Sequence, residues 1–326
     1  MNLGARTEFK LILAILFTAA ALWLSFRRVD WPALRDSFRH VRYIWIVLAV
    51  ANTFIGVFAL GLRWRILLKP KADVPLRMLF RLNILSQYAN IVAPARIGEI
   101  VRVYLASRER TLPAAFVLGT LAVEKLLDFF VFVCLWLTVP VLISLKAAVP
   151  GYGTALLFFC LAAAGLFAFL IFRPDKIVRL GCLISRIAPA GLRPKIHSWL
   201  DQGTEAFGVL RRPGVLLAII LWTVFLILNQ VLTNFLVFFA FGLSLPFAAA
   251  LLALLAIQAG AVPPSAPGKI GVFEYAVILA LSAFAVPASP ALAAAVMLHL
   301  VIYLPKILLG FFYLSTSGIS LKMRSS

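Results

Sequence analysis

Acidic residues are scarce in this sequence, and so is charge of either sign. The chain has 12 Asp and Glu against 31 Lys and Arg, and charged residues make up only 13% of it. Soluble domains carry about 25% charged residues, so this composition excludes an ordinary soluble domain. Hydrophobic residues make up 63% of the chain and its mean hydropathy is +1.03, which is more apolar side chain than one domain can bury. The predicted fold class is an all-α polytopic membrane protein.

Cysteines and enzyme motifs are also missing. Cys134, Cys160 and Cys182 are too few and too scattered for a disulfide framework or a metal site. No His-Glu-x-x-His, Gly-x-Ser-x-Gly or Walker sequence is present. We therefore expect no enzyme activity, no catalytic residue, no metal and no cofactor, and any transport needs a gradient or runs downhill. The net charge of +19 lies mostly between apolar segments, where it indicates contact with anionic lipids and not with nucleic acid.

Apolar segments of two lengths organise the chain. Two pairs of short segments, 76–93 with 97–106 and 246–262 with 272–286, each flank a stretch rich in Pro, Gly and charge. If every segment spanned the membrane, the basic segment 173–213 would lie outside, against the bias of basic loops toward the cytoplasm. We therefore predict two re-entrant hairpins, cytoplasmic termini and a location in the plasma or inner membrane. About six full spans are predicted, at 11–26, 43–62, 113–144, 151–172, 214–242 and 290–315.

The two interrupted stretches have the same order of residue types. Residues 92–99 and 264–274 each contain Pro, then a cation, Ile, Gly and Glu. Interrupted hydrophobic segments at corresponding places in two halves indicate the binding site of a transporter. The predicted organisation is therefore an inverted-topology repeat within one membrane domain over 1–326, with a first half at 43–172, an amphipathic cytoplasmic linker at 173–213 and a second half at 214–315.

A basic segment near the N-terminus is predicted to lie on the membrane surface. Residues 27–42 carry five Lys and Arg on the predicted outer side. We expect an interfacial helix there, with Trp31, Leu34 and Phe38 toward lipid.

Ionisable side chains at membrane depth indicate function because they are costly to place there. Glu124 and Asp128 are four residues apart and share one helix face, while Asn83, Gln87 and Asn90 form a polar stripe. Helix N-termini and Arg side chains both suit phosphate, so the expected ligand is an anionic or phosphate-bearing lipid head group. The predicted substrate-binding residues are Asn90, Arg96, Glu99, Arg102, Glu124, Asp128, Lys269 and Glu274. The alternative is internal pairing, in which Arg96 or Arg102 neutralises Glu124 or Asp128 and holds helices together.

The loops themselves are predicted to supply backbone flexibility. The predicted hinge and loop residues are Pro94, Gly98, Pro264, Pro267, Gly268 and Gly271. Pro cannot continue a helix, and Gly permits positive φ or close approach to a head group. We expect a new half-helix to begin near Gly271, with Glu274 in its first turn, either as a cap or as part of the site. His299, near Tyr303 and Lys306, is interpreted as a hydrogen-bonded helix contact.

Taken in order, the motifs resemble a known family. They are Arg63-Trp64-Arg65, Asn90 to Pro94 with Gly98 to Arg102, Val123 to Asp128, Pro264 to Glu274 and His299 to Gly310. The chain resembles the flippase-like membrane domain of bacterial lysylphosphatidylglycerol synthases, in a stand-alone form without the synthase's catalytic domain. The resemblance implies movement of a phospholipid or related amphiphile between leaflets. The alternative is a non-catalytic accessory or scaffold subunit, whose partner would be an enzyme of lipid or polyprenyl-glycan synthesis.

Overall fold

Helices account for all the regular secondary structure that a computed structural model describes. The described residues are 3–27, 29–93, 97–110, 112–137, 193–261 and 266–316, with eleven further positions between 158 and 183. Within them there are eleven α-helices and no strand. The helices are α1 Leu3–Phe26, α2 Trp31–Arg39, α3 Tyr43–Leu68, α4 Leu76–Val92, α5 Gly98–Arg110, α6 Ala114–Trp136, α7 Arg193–Gly208, α8 Pro213–Ala240, α9 Phe247–Gly260, α10 Val272–Ser282 and α11 Ala288–Thr316.

Three of the described helices, α3, α8 and α11, are long and apolar enough to cross a membrane. Ile15–Phe26 and α9 are apolar but shorter. Helix α6 has 23 residues and carries Glu124, Lys125 and Asp128. The all-α membrane architecture is therefore confirmed. The count of six spans stays a prediction, because the windows at 113–144 and 151–172 extend beyond the described residues.

Both predicted helix breaks are present. Helix α4 ends at Val92 and α5 begins at Gly98, while α9 ends at Gly260 and α10 begins at Val272. In the second break Gly268 and Gly271 have φ values of 70° and 82°, which side chains with a Cβ rarely adopt. The predicted positions Pro94, Arg96 and Pro264 lie outside the described residues.

Helices α4 and α5 form an antiparallel pair. At the turn, the Ser86 hydroxyl donates to the backbone oxygen of Gly98 at 2.8 Å. At the other end, Arg81 and Glu109 form an ion pair, and Nε of Arg110 contacts Sδ of Met78 at 3.4 Å. The beginning of α4 therefore lies beside the end of α5.

The chain divides into two compact units. Unit 1 contains Met1–Val57, Asn83–Val101 and Ile227–Ser326, and unit 2 contains Phe58–Leu82 and Arg102–Leu226. Helices α3, α4, α5 and α8 each contribute residues to both. This division follows spatial contact and not sequence symmetry, so the repeat halves at 43–172 and 214–315 stay a prediction.

In unit 1 the N-terminal helices pack on the second break and its neighbours. Helix α1 packs against α10, and α2 packs against α11, where the N–H of Asp30 donates to Ser289 Oγ at 2.9 Å. The side chains expected to face lipid on α2 differ in exposure. Trp31 is 62% exposed, but the Phe38 ring packs edge-on against Phe241 with centroids 5.6 Å apart. Phe38 is therefore half-buried, with part of its ring covered by protein.

In unit 2 the predicted linker is partly a packed helix. Helix α7 packs along α6, and a Cβ added at Gly119 would overlap the backbone of Gly203. Lys71 also pairs with Glu205 of α7 at 2.7 Å. The part of 173–213 that forms α7 is therefore docked on the protein, while most of 173–192 lies outside the described residues.

Candidate functional site

The loop at the second helix break, between α9 and α10, is held in place by its own backbone geometry and by α1. Pro267–Lys269 form one 3-10 turn, and Gly271 is the N-cap of α10. The N–H of Ala266 donates to Thr18 Oγ1 at 3.0 Å. A Cβ added at Gly271 would come within 2.7 Å of the Leu22 side chain. Positive φ and close approach of α1 therefore both require glycine at this position.

Glu274 joins this loop to α11. Its Oε2 accepts the N–H of Gly271 at 2.6 Å, and its Oε1 lies 2.5 Å from Nδ1 of His299. The His299 ring is flanked by Phe273 and Tyr303, with centroids 4.6 Å and 4.4 Å away. Glu274 therefore caps α10, as one sequence interpretation expected. The interpretation of His299 as a hydrogen-bonded helix contact is confirmed.

Two adjoining cavities lie in unit 1 at the helix breaks. They share Ile91, Gly268 and Tyr303. The larger, about 410 Å³, is mostly apolar and is also lined by Pro267, Ile270, Glu274, Val296, His299, Leu300, Leu304 and Ile307. The smaller, about 150 Å³, is also lined by Gln87, Asn90, Lys269, Ile302 and Lys306. The wall of the larger cavity thus has a carboxylate and an imidazole among apolar side chains, and the wall of the smaller one has two lysines and two amides.

The first helix break, between α4 and α5, lies next to these cavities, because residues at the end of α4 line both of them. Oδ1 of Asn90 accepts the N–H of Gly98 at 2.7 Å, so Asn90 satisfies one of the unpaired amides at the beginning of α5. A Cβ added at Gly98 would overlap both Asn90 and the backbone oxygen of Ser86. A Cβ added at Gly310 of α11 would likewise overlap the ring of Tyr88. Close packing at Gly98 therefore holds the beginning of α5 against α4, and close packing at Gly310 brings α4 against α11.

A second cluster of charges lies in unit 2. Arg63 of α3 makes a bidentate pair with Asp128, from Nη1 to Oδ1 at 2.5 Å and from Nη2 to Oδ2 at 3.2 Å. Its Nε lies 3.6 Å from Oε1 of Glu124, and Nη1 of Arg102 donates to Oε2 of Glu124 at 2.8 Å. Arg63, Arg102 and Glu124 are all buried. Two arginines and two carboxylates give the cluster a net charge of zero.

Neutral groups complete this cluster. The Arg102 guanidinium lies over the Trp64 ring, 3.7 Å from its centroid, and Nε1 of Trp64 donates to Thr120 at 3.0 Å. Nη1 of Arg63 also donates to Thr223 Oγ1 of α8 at 3.0 Å. The cluster therefore ties α3, α5, α6 and α8 together within unit 2. In the described part of the chain no group of three His, Cys, Asp or Glu could hold a metal ion.

A sequence profile of the lysylphosphatidylglycerol synthase TM region matches residues 11–310. The chain belongs to this family. The match covers most of the chain and confirms the resemblance found in its motifs. No curated protein and no solved structure matches the chain. The family is a membrane domain, and with the apolar helices this identifies a multi-pass membrane protein with a role connected to membrane lipid.

In this family member the predicted site residues fall into two groups. Asn90, Lys269 and Glu274 line the cavities of unit 1, while Arg102, Glu124 and Asp128 belong to the neutral cluster of unit 2. Glu99 is half-buried in the first turn of α5. Of the internal pairings considered from the sequence, Arg102 with Glu124 is present.

Sequence analysis did not assign four further residues to the site. Arg63 was placed just outside a span that ended at 62, although α3 continues to Leu68. His299, Tyr303 and Lys306 follow each other at intervals of four and three residues, which places them on one helix face. That spacing was the signal that could have found them.

Proposed function

We propose that this protein moves a phosphate-bearing lipid between the two leaflets of the membrane. The observation that supports this most directly is the pair of adjoining cavities at the helix breaks. A lipid has one charged end and one apolar end, and the cavities differ in the same way. The activity proposed is transport and not catalysis.

The smaller cavity has the chemistry of a phosphate site. Lys269 and Lys306 both line it, and Gln87 and Asn90 supply amide groups beside them. Two ammonium groups of like sign repel each other when they line one cavity. An anion between them removes that repulsion, and lysine is a common phosphate ligand.

The larger cavity has the chemistry of an apolar site. Its volume of about 410 Å³ falls within the range of roughly 300–1,000 Å³ that is usual for ligand cavities. Ile270, Leu300 and Leu304 contribute aliphatic surface to its wall. A hydrocarbon chain is the part of a lipid that would fill it.

The antiparallel arrangement of α4 and α5 supports a re-entrant first hairpin. Because the beginning of α4 lies beside the end of α5, residues 76–110 begin and end on the same side of unit 2. We propose that this side is cytoplasmic, since exposed Lys69, Arg77 and Arg110 lie there. Cytoplasmic termini and a plasma or inner membrane location belong to the same proposal.

The neutral cluster of unit 2 has a different role in this proposal. Arg63 and Arg102 already have carboxylate partners, so we assign them to helix packing and not to the lipid. This is the role that a scaffold would give to every internal charge. Lys269 and Lys306 line the smaller cavity instead, so substitutions at these two residues separate transport from scaffolding.

The test is leaflet exchange of labelled lipids in liposomes that contain the purified protein. Lys306→Gln and Lys269→Gln should each slow exchange of a phosphate-bearing lipid about tenfold to a hundredfold, because a charge-assisted hydrogen bond contributes about 1.5–3 kcal/mol. Lys69→Gln, at an exposed position at the end of α3, is the matched control and should exchange normally. If wild-type protein gives no exchange above protein-free liposomes, the scaffold alternative replaces this proposal.

A further inference from the structure

One pair of titratable side chains in the cavity wall is not needed to hold the phosphate. Oε1 of Glu274 and Nδ1 of His299 lie 2.5 Å apart, and Glu274 is only 8% exposed. Both side chains line the 410 Å³ cavity. Buried carboxylate and imidazole groups within membrane spans are typical of proton pathways.

This pair has two charge states that differ by one proton. When Glu274 is ionised and neutral His299 donates from Nδ1, the pair carries one negative charge. A proton added at Nε2 of His299 makes the pair neutral overall. The Glu274 carboxylate keeps the N–H of Gly271 in both states, at 2.6 Å. The charge can therefore change while the cap of α10 and the contact between α10 and α11 are kept.

Lysines are the charges that share the cavity walls with this pair. Among the described lining residues these are Lys269 and Lys306, and Tyr303 lies between His299 and Lys306 on α11. The other elements that pack on α10 or α11 bring few titratable groups. Helix α9 and residues 15–26 of α1 have no titratable group. The last two turns of α4 contribute Tyr88, and α10 itself contributes Tyr275. Helix α2 and its N-cap lie near the beginning of α11 and contribute Asp30, Arg35, Asp36 and Arg39.

The lysines and the pair are close enough to influence each other. Lys306 follows His299 by seven residues, which is about 10 Å along a helix. Two unit charges at that distance change an equilibrium constant roughly tenfold when the effective dielectric constant is about 20. A lipid phosphate in the smaller cavity brings a negative charge beside the pair. Like charges repel, so the phosphate and a proton on the pair favour each other's binding.

We infer that the Glu274–His299 pair binds a proton together with the lipid anion, so that lipid movement is coupled to a proton gradient. The inference rests on the proposed function, because it assigns a second ligand to the same site. Linkage makes the effect reciprocal: the lipid favours the proton, and the proton favours the lipid by the same factor. Lipid anion and proton then cross in the same direction, which supplies an energy source without a nucleotide site.

Calorimetry on the purified full-length protein can count the protons. Short-chain phosphatidylglycerol is titrated into the protein in two buffers of different ionisation enthalpy, from about pH 5 to about pH 8, where histidine changes charge. Its phosphodiester stays ionised over this range, so the lipid contributes no proton of its own. We expect uptake of up to one proton per lipid, and roughly tenfold tighter binding at the acidic end.

Two variants of the pair and one control sharpen this test. Glu274→Gln keeps the shape of the pair without its negative charge. It should take up no proton and should bind lipid at every pH as tightly as wild type does at the acidic end. His299→Gln should take up no proton and should keep the weaker affinity. His40→Gln changes an exposed histidine on the surface and should behave as wild type. Lipid binding without proton uptake by wild type overturns the inference, and so does a pH dependence that persists in Glu274→Gln.

Leaflet exchange under an imposed pH gradient separates this inference from the proposed function. We expect exchange of labelled phosphatidylglycerol to accelerate in the direction of proton flow, and only when both pair residues are intact. If the rate of exchange does not depend on the pH gradient, the proton coupling is wrong and the flippase proposal still stands. Joint binding of lipid and proton without any exchange contradicts the flippase proposal and leaves the joint binding of lipid and proton standing.

Discussion

Asn52 of α3 and Asn229 of α8 exchange hydrogen bonds across 177 residues of sequence. Nδ2 of Asn52 donates to the backbone oxygen of Asn229 at 2.8 Å, and Nδ2 of Asn229 donates to the backbone oxygen of Asn52 at 3.2 Å. Bonds made in both directions are typical of two segments related by a two-fold axis. Ile97 and Ile270 of the two loop motifs are 173 residues apart (270 minus 97). The two intervals differ by four residues, about one helical turn, and the inverted repeat stays a prediction.

The amide pair should show coupling in a double-mutant cycle. Asn52→Leu and Asn229→Leu should each lower the free energy of unfolding by about 1 kcal/mol, because each leaves a buried amide without its partner. The double variant should lose less than the sum. Thr53→Val is the control on the same helix, since the Thr53 hydroxyl donates to the carbonyl of Ala49 one turn earlier. Denaturation in detergent measures all four proteins, and strictly additive losses would mean that the pair contributes nothing.

Arg63 should be the most sensitive member of the neutral cluster. Arg63→Met leaves Asp128 and one oxygen of buried Glu124 without their cation, and we expect a loss of about 3–5 kcal/mol. Asp128→Asn should cost less, because the Asp128 side chain is 43% exposed and water can reach it. Thermal unfolding of the purified variants measures the order of their stabilities. Equal stability of Arg63→Met and wild type would show that the cluster is hydrated and not a packing element.

Gly98 should not tolerate a side chain. Gly98→Ala places a Cβ against the backbone oxygen of Ser86, which cannot move without distorting α4. We expect a loss of about 1–3 kcal/mol, as for other overpacked positions. Gly208→Ala is the matched control, because a Cβ there meets nothing within 4 Å. The two melting temperatures should differ, and a Gly98→Ala protein as stable as Gly208→Ala would place the turn between α4 and α5 elsewhere.

Single-cysteine labelling tests the topology of the two hairpins. Cysteines at Lys71 and Arg110 should both label from the cytoplasmic side, and cysteines at Ser244 and Ala283 both from outside. All four positions are exposed. Ser289 is unsuitable because it is buried and accepts the N–H of Asp30. Labelling of either pair from opposite sides would show that the segment between them crosses the membrane.

Local chemistry explains what the sequence predicted well. Pro267 lacks the N–H that continues a helix, and Gly268 and Gly271 allow positive φ, so the second break could be located without any tertiary contact. The role of Glu274 in the first turn of α10 is likewise local, since a carboxylate three residues after an N-cap can accept the N–H of that N-cap. The membrane class could also be predicted locally, because mean hydropathy is a sum over single residues and needs no tertiary contact.

Long-range packing explains what the sequence left open. Arg63, Arg96 and Arg102 were equally plausible cations for Glu124 and Asp128, because the spacing between them says nothing about which helices meet. The tertiary structure pairs Arg63 with Asp128 and Arg102 with Glu124.

Hydrophobicity fixed that this chain enters a membrane, and its Pro and Gly residues fixed where its helices break. Only the tertiary structure decided that Lys306 shares a cavity with Lys269 and that His299 meets Glu274. Helix breaks depend on the conformational preferences of single residues. These partnerships depend instead on the packing of α4, α10 and α11, which are far apart along the chain.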